Sequence, residues 1–241
     1  MSYISVKNLS VCYDGSYALK KLNFEASKGE FVAVVGKSGS GKTTFLHALA
    51  RFIPFSGKII MPVKIGMVFQ HYAVFPWLTV SENIGFGLKN QNQNQQARII
   101  QEHLKLTELE EKRDKYPAEL SGGQVQRVAL ARSLAPNPEI LLMDEPYGAL
   151  DAHTRDKMQQ WLLDVWFTYR KTIIFVTHNI EEAIFLADRV LLLSHGCFIK
   201  EWTVPLERPR LECVKFSNQF NKLKKEILHS INIETPPPHD D

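Results

Sequence analysis

The chain has 241 residues, of which 44% are hydrophobic and 23% charged, the composition of an ordinary globular protein. Its net charge is only +3, with 29 basic and 26 acidic residues, so we expect no nucleic-acid partner. No apolar run approaches the roughly 20 residues of a membrane-spanning helix, and the first residues lack the layout of a secretion signal. The three scattered cysteines have no metal-type spacing. One large α/β domain in a reducing compartment is expected.

The first part of the chain predicts short strands at 4–12 and 19–26. Their connection is too short for a crossover helix, so antiparallel pairing is expected. A third strand, predicted at 31–35, is apolar throughout and leads into a glycine-rich loop and a helix. Strand, loop and helix in this order form the context that a phosphate-binding loop requires.

The glycine-rich loop matches G-x-x-x-x-G-K-[ST] at Gly36, Gly41, Lys42 and Thr43. Glycines let backbone N–H groups point inward at phosphate oxygens, and the next helix adds its positive N-terminal end. Lys42 supplies a charge for the β- and γ-phosphates, and Thr43 supplies a hydroxyl for Mg²⁺. The predicted nucleoside-triphosphate site comprises Gly36, Lys37, Ser38, Gly39, Ser40, Gly41, Lys42, Thr43 and Thr44.

The middle of the chain is mainly helical after two further short strands at 57–60 and 64–69. Ser81 is predicted to be the N-cap of the first helix there. The amide-rich run Asn90–Gln96 is predicted to be a solvated linker, and helical spacing follows over 97–109. We therefore predict a helical subdomain at about 73–134, inserted into a catalytic core of about 1–72 and 135–205.

Strand character returns at 139–143 and at 172–176, with an amphipathic helix between them. This series predicts a parallel sheet covered on both faces. The first of these strands ends in Asp144 and Glu145, at the sheet edge where α/β proteins bind ligands. Asp144 is predicted to hold Mg²⁺, and Glu145 to polarise the water that attacks the γ-phosphate. A solvated acidic turn would be the preferred alternative if no phosphate loop preceded it.

The end of the chain predicts a hairpin of 189–193 with 197–201. The domain is expected to extend over 1–228, and the remaining residues, 229–241, are proline-rich toward the end and are predicted to be disordered.

The sequence Leu120-Ser121-Gly122-Gly123-Gln124 precedes another helical stretch. Ser121 is a natural N-cap, and two glycines expose backbone N–H groups at a second anion-binding helix start. L-S-G-G-Q is the signature of ATP-binding cassette (ABC) ATPases, and the chain resembles this family from about Tyr3 to Leu193. The resemblance implies an ATP-hydrolysing α/β protein whose P-loop NTPase core has a mainly parallel sheet. It also implies an N-terminal antiparallel β subdomain and an inserted helical subdomain.

The resemblance also implies roles for single residues around the nucleotide. Gln70 matches the Q-loop glutamine, which touches Mg²⁺ and the attacking water. His178 matches the switch histidine that contacts the γ-phosphate. Tyr13 stands where the family carries an aromatic residue that stacks on adenine, with Tyr17 as the competing candidate.

Members of this family act as head-to-tail dimers, so the resemblance implies a homodimer. Each ATP is clamped between the phosphate loop of one copy and the signature helix of the other. The residues implied to act in trans are Ser121, Gly122, Gly123, Gln124 and, in the D-loop Ala149-Leu150-Asp151, Asp151.

A single cassette without a membrane span is typical of importer subunits that are made separately from their permease. Tyr72, Phe75 and Trp77 crowd the loop after Gln70, where they are predicted to receive a short permease helix or else to pack internally. The sequences at 75–80, 151–155 and 161–166 resemble the nitrate/sulfonate/taurine importer branch, which includes carriers of thiamine-precursor pyrimidines.

We therefore expect a protein at the cytoplasmic face of the membrane, bound to integral membrane permease subunits. A solute-binding protein is expected to be an indirect partner, acting through the permease. The alternatives are the ATPase subunit of an exporter and a soluble, non-transport ABC ATPase.

Overall fold

A computed structural model describes residues 2–148 and 150–233 of the chain. It divides into two compact units, one formed by Met1–Val63 with Arg170–Asp241 and the other by Lys64–Tyr169. The strands are β1 (Ile4–Tyr13), β2 (Ser16–Ala26), β3 (Phe31–Val35), β4 (Ser56–Ile60), β5 (Ile65–Val68), β6 (Ile140–Asp144), β7 (Thr172–Val176), β8 (Arg189–Ser194) and β9 (Cys197–Thr203). The α-helices are α1 (Lys42–Leu49), α2 (Val80–Gly85), α3 (Gln93–Leu106), α4 (Gly122–Leu134), α5 (Ala152–Tyr169), α6 (Ile180–Leu186) and α7 (Asn218–Asn232). Among the helices described, none combines the length and apolarity needed to cross a membrane.

The first unit contains an antiparallel sheet in the order β2-β1-β4. The pairing of β1 with β2 is antiparallel, as their short connection predicts. Strand β1 buries alternate residues over most of its length, so one face packs inward and the other meets solvent. The turn between β1 and β2 has positive φ at Asp14 and Gly15, the backbone conformation that a tight hairpin requires.

The same unit contains strands in the order β7-β3-β8-β9. The first three are parallel, and β9 returns antiparallel to β8 as the predicted hairpin. Strands β3 and β7 are buried at every position, which explains their uninterrupted apolar sequences. The carboxyl ends of β3 and β7 meet at one edge, because Val34 pairs with Val176.

Helices α6 and α7 close the first unit. Helix α7 buries Phe220, Leu223 and Ile227 and has polar residues elsewhere, so it is amphipathic. It extends to Asn232, so the predicted disorder of 229–241 is wrong over its first residues. The residues of the helix after Ile227 are exposed or half-buried, so no buried apolar position marked its continuation past Leu228. Residues 234–241 lie outside the described part of the chain.

The second unit pairs β5 with β6 in parallel and contains helices α2 to α5. A buried cluster that includes Val80, Ile84, Leu104 and Val128 joins α2, α3 and α4. The segment predicted to be helical, about 73–134, lies within this unit. The predicted α/β class, with parallel strands, an antiparallel β sheet and a helical segment, is confirmed.

Two local predictions in the second unit are wrong. The N-cap of α2 is Thr79 and not Ser81, because Thr79 and Glu82 form a reciprocal capping box. The amide-rich run is only partly a linker, since Asn92 caps α3 and Gln93 to Gln96 form its first turn. Asparagine is a strong N-cap, and this local hydrogen bond outweighs the low complexity of the run.

Candidate functional site

The phosphate loop of the first unit joins the buried strand β3 to α1. Gly41 is the N-cap of α1 with φ 106°, a left-handed conformation that favours glycine, and it provides no side-chain cap. The first turn of α1 also contains no acidic residue. The positive end of this helix therefore has no carboxylate of its own first turn in competition with an external anion.

The backbone of the loop is closely packed at its start. A Cβ atom built on Gly36 would lie 2.2 Å from the carbonyl oxygen of Leu193 and 2.7 Å from Ser40 Oγ. The N–H of Gly196 donates to the Ser40 carbonyl at 3.2 Å, which holds the far side of the loop. The loop is therefore fixed by its surroundings before any ligand binds.

Lys42 is buried and spans the loop. Its ammonium group donates to the carbonyl oxygens of Gly36 and Lys37, both at 2.9 Å. The hydroxyl of Ser40 is buried and has no hydrogen-bond partner within the described residues. A buried donor of this kind, beside an ammonium group and an uncapped helix start, fits an oxyanion such as phosphate.

His178 follows β7 at the same sheet edge as the phosphate loop, which follows β3. Its side chain is exposed, while the residues on either side of it, Thr177 and Asn179, are held by hydrogen bonds. The Thr177 hydroxyl donates to the buried carboxylate of Glu182 at 2.7 Å and accepts from the N–H of Asn179 at 3.0 Å. Asn179 caps α6 through the N–H groups of Glu181 and Glu182. The histidine is thus carried by a rigid turn.

Tyr13 and Tyr17 lie on one hairpin, where Tyr13 pairs with Ser16 and Cys12 pairs with Tyr17. Their exposed fractions are 47% and 57%. Either ring is accessible for stacking on a base, so the preference for Tyr13 remains a prediction.

Gln70, Asp144 and Glu145 come together at one edge of the second unit. Val68 at the end of β5 pairs with Met143 of β6, so the residues that follow both strands emerge side by side. Gln70 is exposed, Asp144 is buried as the last residue of β6, and Glu145 is half-buried. Glu145 has φ 42°, a strained left-handed conformation that is found disproportionately at functional sites.

The signature motif starts α4 as predicted. Ser121 is the N-cap, and its backbone N–H donates to Gln124 Oε1 at 3.0 Å while its hydroxyl accepts from the Gln124 N–H at 3.4 Å. Ser121 and Gly122 are exposed, whereas Gly123 is buried and a Cβ there would lie 2.7 Å from Thr154 Cγ2. The helix start therefore presents its serine and first glycine to solvent.

Asp151 caps the start of α5, since its carboxylate accepts from the Thr154 N–H at 3.0 Å. Hydrogen bonds from the Thr154 side chain and backbone lower the pKa of Asp151 below its ordinary value. The local role is thus helix capping, and its action in trans remains a prediction. Ala149 lies outside the described residues.

The aromatic residues after Gln70 separate into buried and exposed groups. Tyr72 is only 8% exposed, so it follows the alternative of internal packing and not the docking surface. Trp77 is 70% exposed and packs on Phe75 with ring centroids 5.5 Å apart. Phe86, from the turn after α2, stacks on Phe75 at 4.3 Å. We call Phe75, Trp77 and Phe86 the aromatic cluster.

Two residues beside this loop gave no clear sequence signal. Asn83 of α2 is fully buried and hydrogen-bonds both backbone groups of Phe75 and the carbonyls of Leu78 and Thr79. Arg132 of α4 donates to the carbonyl oxygens of Tyr72 and Ala73. Only the position of Asn83 on the inner face of α2 hinted at burial, and nothing in the sequence joined Arg132 to a loop so distant along the chain.

A phosphate loop between a buried parallel strand and a helix, in an α/β chain, defines a P-loop nucleotide hydrolase. Comparison with known proteins then identifies the family. The family model described as ABC transporter matches residues 19–148. The chain therefore belongs to the ABC transporter ATPase family, and it binds and hydrolyses ATP.

Import proteins are among its relatives. It is 44% identical to the nitrate import ATP-binding protein NrtD of Synechocystis, over 87% of this chain and 86% of that protein. It is 41% identical to the aliphatic sulfonates import ATP-binding protein SsuB 1 of Paracoccus denitrificans, over 96% and 95%. Among solved structures, it is similar to the dimeric, ADP- and Pi-bound ATP-binding cassette MJ0796, with a TM-score of 0.76, 33% identity and coverage of 85% of this chain and 100% of that chain.

Proposed function

We propose that the chain is the ATP-hydrolysing subunit of an importer, in which two copies power solute uptake through a separate membrane permease. The observation that carries this proposal is similarity over nearly the whole chain to import ATP-binding proteins for nitrate and for sulfonates. Nitrate and sulfonates are both small oxyanions. We infer a solute of this type, taurine included, or a related small molecule such as a thiamine-precursor pyrimidine, delivered by a solute-binding protein.

The nucleotide chemistry is divided among the residues described above. Lys42, Ser40 and the backbone N–H groups at the start of α1 bind the phosphates, and Tyr13 stacks on adenine. Glu145 accepts a proton from the attacking water, and His178 contacts the γ-phosphate. Mg²⁺ neutralises phosphate charge when bound, and the oxygens of Thr43, Gln70 and Asp144 suit this hard cation.

In the proposed dimer, the signature residues Ser121 to Gln124 and Asp151 of each copy face the nucleotide of the other copy. The dimeric state of the similar MJ0796 cassette supports this arrangement. The negative γ-phosphate attracts the positive start of α4, and hydrolysis removes that attraction. Opening and closing of the pair would then follow the state of the nucleotide.

The aromatic cluster is the proposed contact with the permease, at the cytoplasmic face of the membrane. Trp77 is 70% exposed and Phe86 is 42% exposed. A short permease helix that docked on these large apolar side chains would cover them. Phe75 packs between them, so the three rings form one continuous surface.

Glu145→Gln tests the proposed chemistry. The amide keeps the size of the side chain but cannot accept the proton of the water, so turnover should fall by about 100-fold or more. ATP affinity should stay within about threefold of the wild type, and the variant should accumulate as an ATP-bound pair in gel filtration. Glu139→Gln, an exposed glutamate one residue before β6, is the control. Wild-type turnover in Glu145→Gln would refute the general-base assignment.

Isolation of the tagged chain from native membranes tests the transport function. Co-purification of integral membrane subunits, with ATPase stimulation by a solute-binding protein after reconstitution, is the expected result. Membrane partners without such stimulation would indicate an exporter. Co-purification with ribosomes or DNA would contradict transport altogether.

A further inference from the structure

The turn after Gln70 has a strained backbone. Tyr72 has φ 57° and Ala73 has φ 47°, so two successive residues other than glycine are in the left-handed conformation. The side-chain hydroxyl of Tyr72 is also buried without a hydrogen-bond partner within the described part of the chain. Such a turn persists only where its surroundings hold it.

Arg132 is the group that holds this turn from the side of α4. Its guanidinium donates to the carbonyl oxygen of Ala73 and, at 3.3 Å, to that of Tyr72. The same group lies over the ring of Phe75, 5.1 Å from its centroid. Burial lowers the pKa of Arg132 below its ordinary value. The guanidinium of Arg132 therefore contacts both residues of the strained turn and one ring of the aromatic cluster.

Helix α4 is itself fixed to the strand that leads to Gln70. Ser133 Oγ donates to the carbonyl of Met67 in β5 at 2.8 Å. A Cβ on Gly66 would lie 2.6 Å from the Ser133 carbonyl oxygen, so helix and strand are in close contact. Because the base of the loop is fixed, movement in it is concentrated in the turn that Arg132 holds.

We propose that Arg132 is a positioning residue that links the aromatic cluster to Gln70 through the strained turn at Tyr72 and Ala73. Displacement of Phe75 by a docked helix shifts the guanidinium above it and weakens its bonds to the two carbonyls. The turn then relaxes, and Gln70, which precedes it, changes position. The inference rests on the proposed roles of Gln70 and of the aromatic cluster.

Arg127 is a matched control on the same helix. It also donates to a backbone carbonyl, that of Thr107 at 3.1 Å, and lies 5.8 Å from the centroid of an aromatic ring, Trp161. Its other partners are Met158 and Glu108, so within the part of the chain that the structure describes its hydrogen bonds lie away from the strained turn. Replacement of Arg127 should therefore remove the same types of contact as replacement of Arg132, but it should leave the turn at Tyr72 and Ala73 unchanged.

Hydrogen exchange on the purified full chain tests the hold directly. In Arg132→Ala, amides of residues 70–75 should exchange about tenfold faster than in the wild type, while those of α4 are unchanged. Arg132→Lys, which keeps the charge but lacks the planar fork, should lie between the two. Arg127→Ala should leave the exchange of 70–75 unchanged. Equal exchange of 70–75 in wild type and Arg132→Ala would overturn the proposal.

Steady-state ATP hydrolysis by the same proteins tests the link to Gln70. Arg132→Ala should lower kcat about tenfold with KM for ATP within about twofold, Arg132→Lys should recover part of kcat, and Arg127→Ala should match the wild type. Faster exchange in Arg132→Ala with unchanged kcat would overturn the link. If Glu145→Gln keeps wild-type turnover, the proposed chemistry fails instead, and hydrogen exchange still decides the role of Arg132.

Discussion

At the scale of single residues, the phosphate loop is preorganised for a triphosphate. The ammonium group of Lys42 is held by two carbonyls of its own loop, and Ser40 presents a buried hydroxyl. Lys42 can exchange these carbonyl oxygens for phosphate oxygens, and the Ser40 hydroxyl can donate to a phosphate oxygen, without a large rearrangement. Preorganisation of this kind lowers the entropic cost of binding.

Lys42→Ala should weaken ATP binding by about 100-fold, because charge-assisted hydrogen bonds to phosphate contribute roughly 1.5–3 kcal/mol. Fluorescence titration with a labelled ATP analogue measures the affinity. Lys58→Ala, on the exposed strand β4, should bind like the wild type. Affinity within threefold of wild type in Lys42→Ala would contradict the phosphate role of this lysine.

At the scale of elements, the packing of α6 supports the turn that carries His178. Arg210 is buried at the end of this helix and donates to the carbonyls of Ile184, Phe185 and Ala187, which the helix leaves without partners. Burial lowers the pKa of Arg210 to about 10, so the side chain remains charged at neutral pH. A cation at a helix C-terminus also complements the helix dipole.

Arg210→Met should lower the free energy of unfolding by about 2–4 kcal/mol, because three buried carbonyls lose their donor. Urea denaturation measures the change. Arg98→Ala removes an exposed ion pair with Glu102 on α3 and should cost no more than about 0.5 kcal/mol. A change below 1 kcal/mol in Arg210→Met would show that water replaces the guanidinium.

At the scale of the whole molecule, the proposed function needs a second copy of the chain. In the proposed dimer, the exposed start of α4 faces the nucleotide of the other copy. Each copy would then bind ATP through its own phosphate loop but need the other copy for turnover, so binding and hydrolysis can be separated experimentally.

Ser121→Asp tests this separation. Aspartate still caps α4, so the fold is retained, but its charge repels the γ-phosphate of the facing copy. Hydrolysis should fall at least about tenfold, while ATP affinity of the dilute monomer stays within about twofold. Thr79→Asp, which changes the N-cap of α2 in the same way, should behave like the wild type. Loss of monomer affinity in Ser121→Asp would contradict action in trans.

Local patterns predicted much of the fold and of the candidate site. The phosphate loop depends on neighbours within a few residues, so its spacing identifies it. The carboxylates after β6 took their interpretation from that loop, and the capped helix at Ser121 took its interpretation from the resemblance to the family. The predictions for Ser81 and the residues after Leu228 failed where a competing cap or packing between distant segments decided the outcome. For Tyr72 the sequence left docking or internal packing open, and only the fold decided for internal packing.

The sequence by itself predicted a triphosphate site at Gly36 to Thr44, because glycine conformation and helix polarity are local properties of the chain. Only the tertiary structure decided that Arg132 holds the strained turn beside Gln70 and that Arg210 caps α6. Those contacts join segments far apart in sequence, and no local pattern records which carbonyl a buried guanidinium will meet.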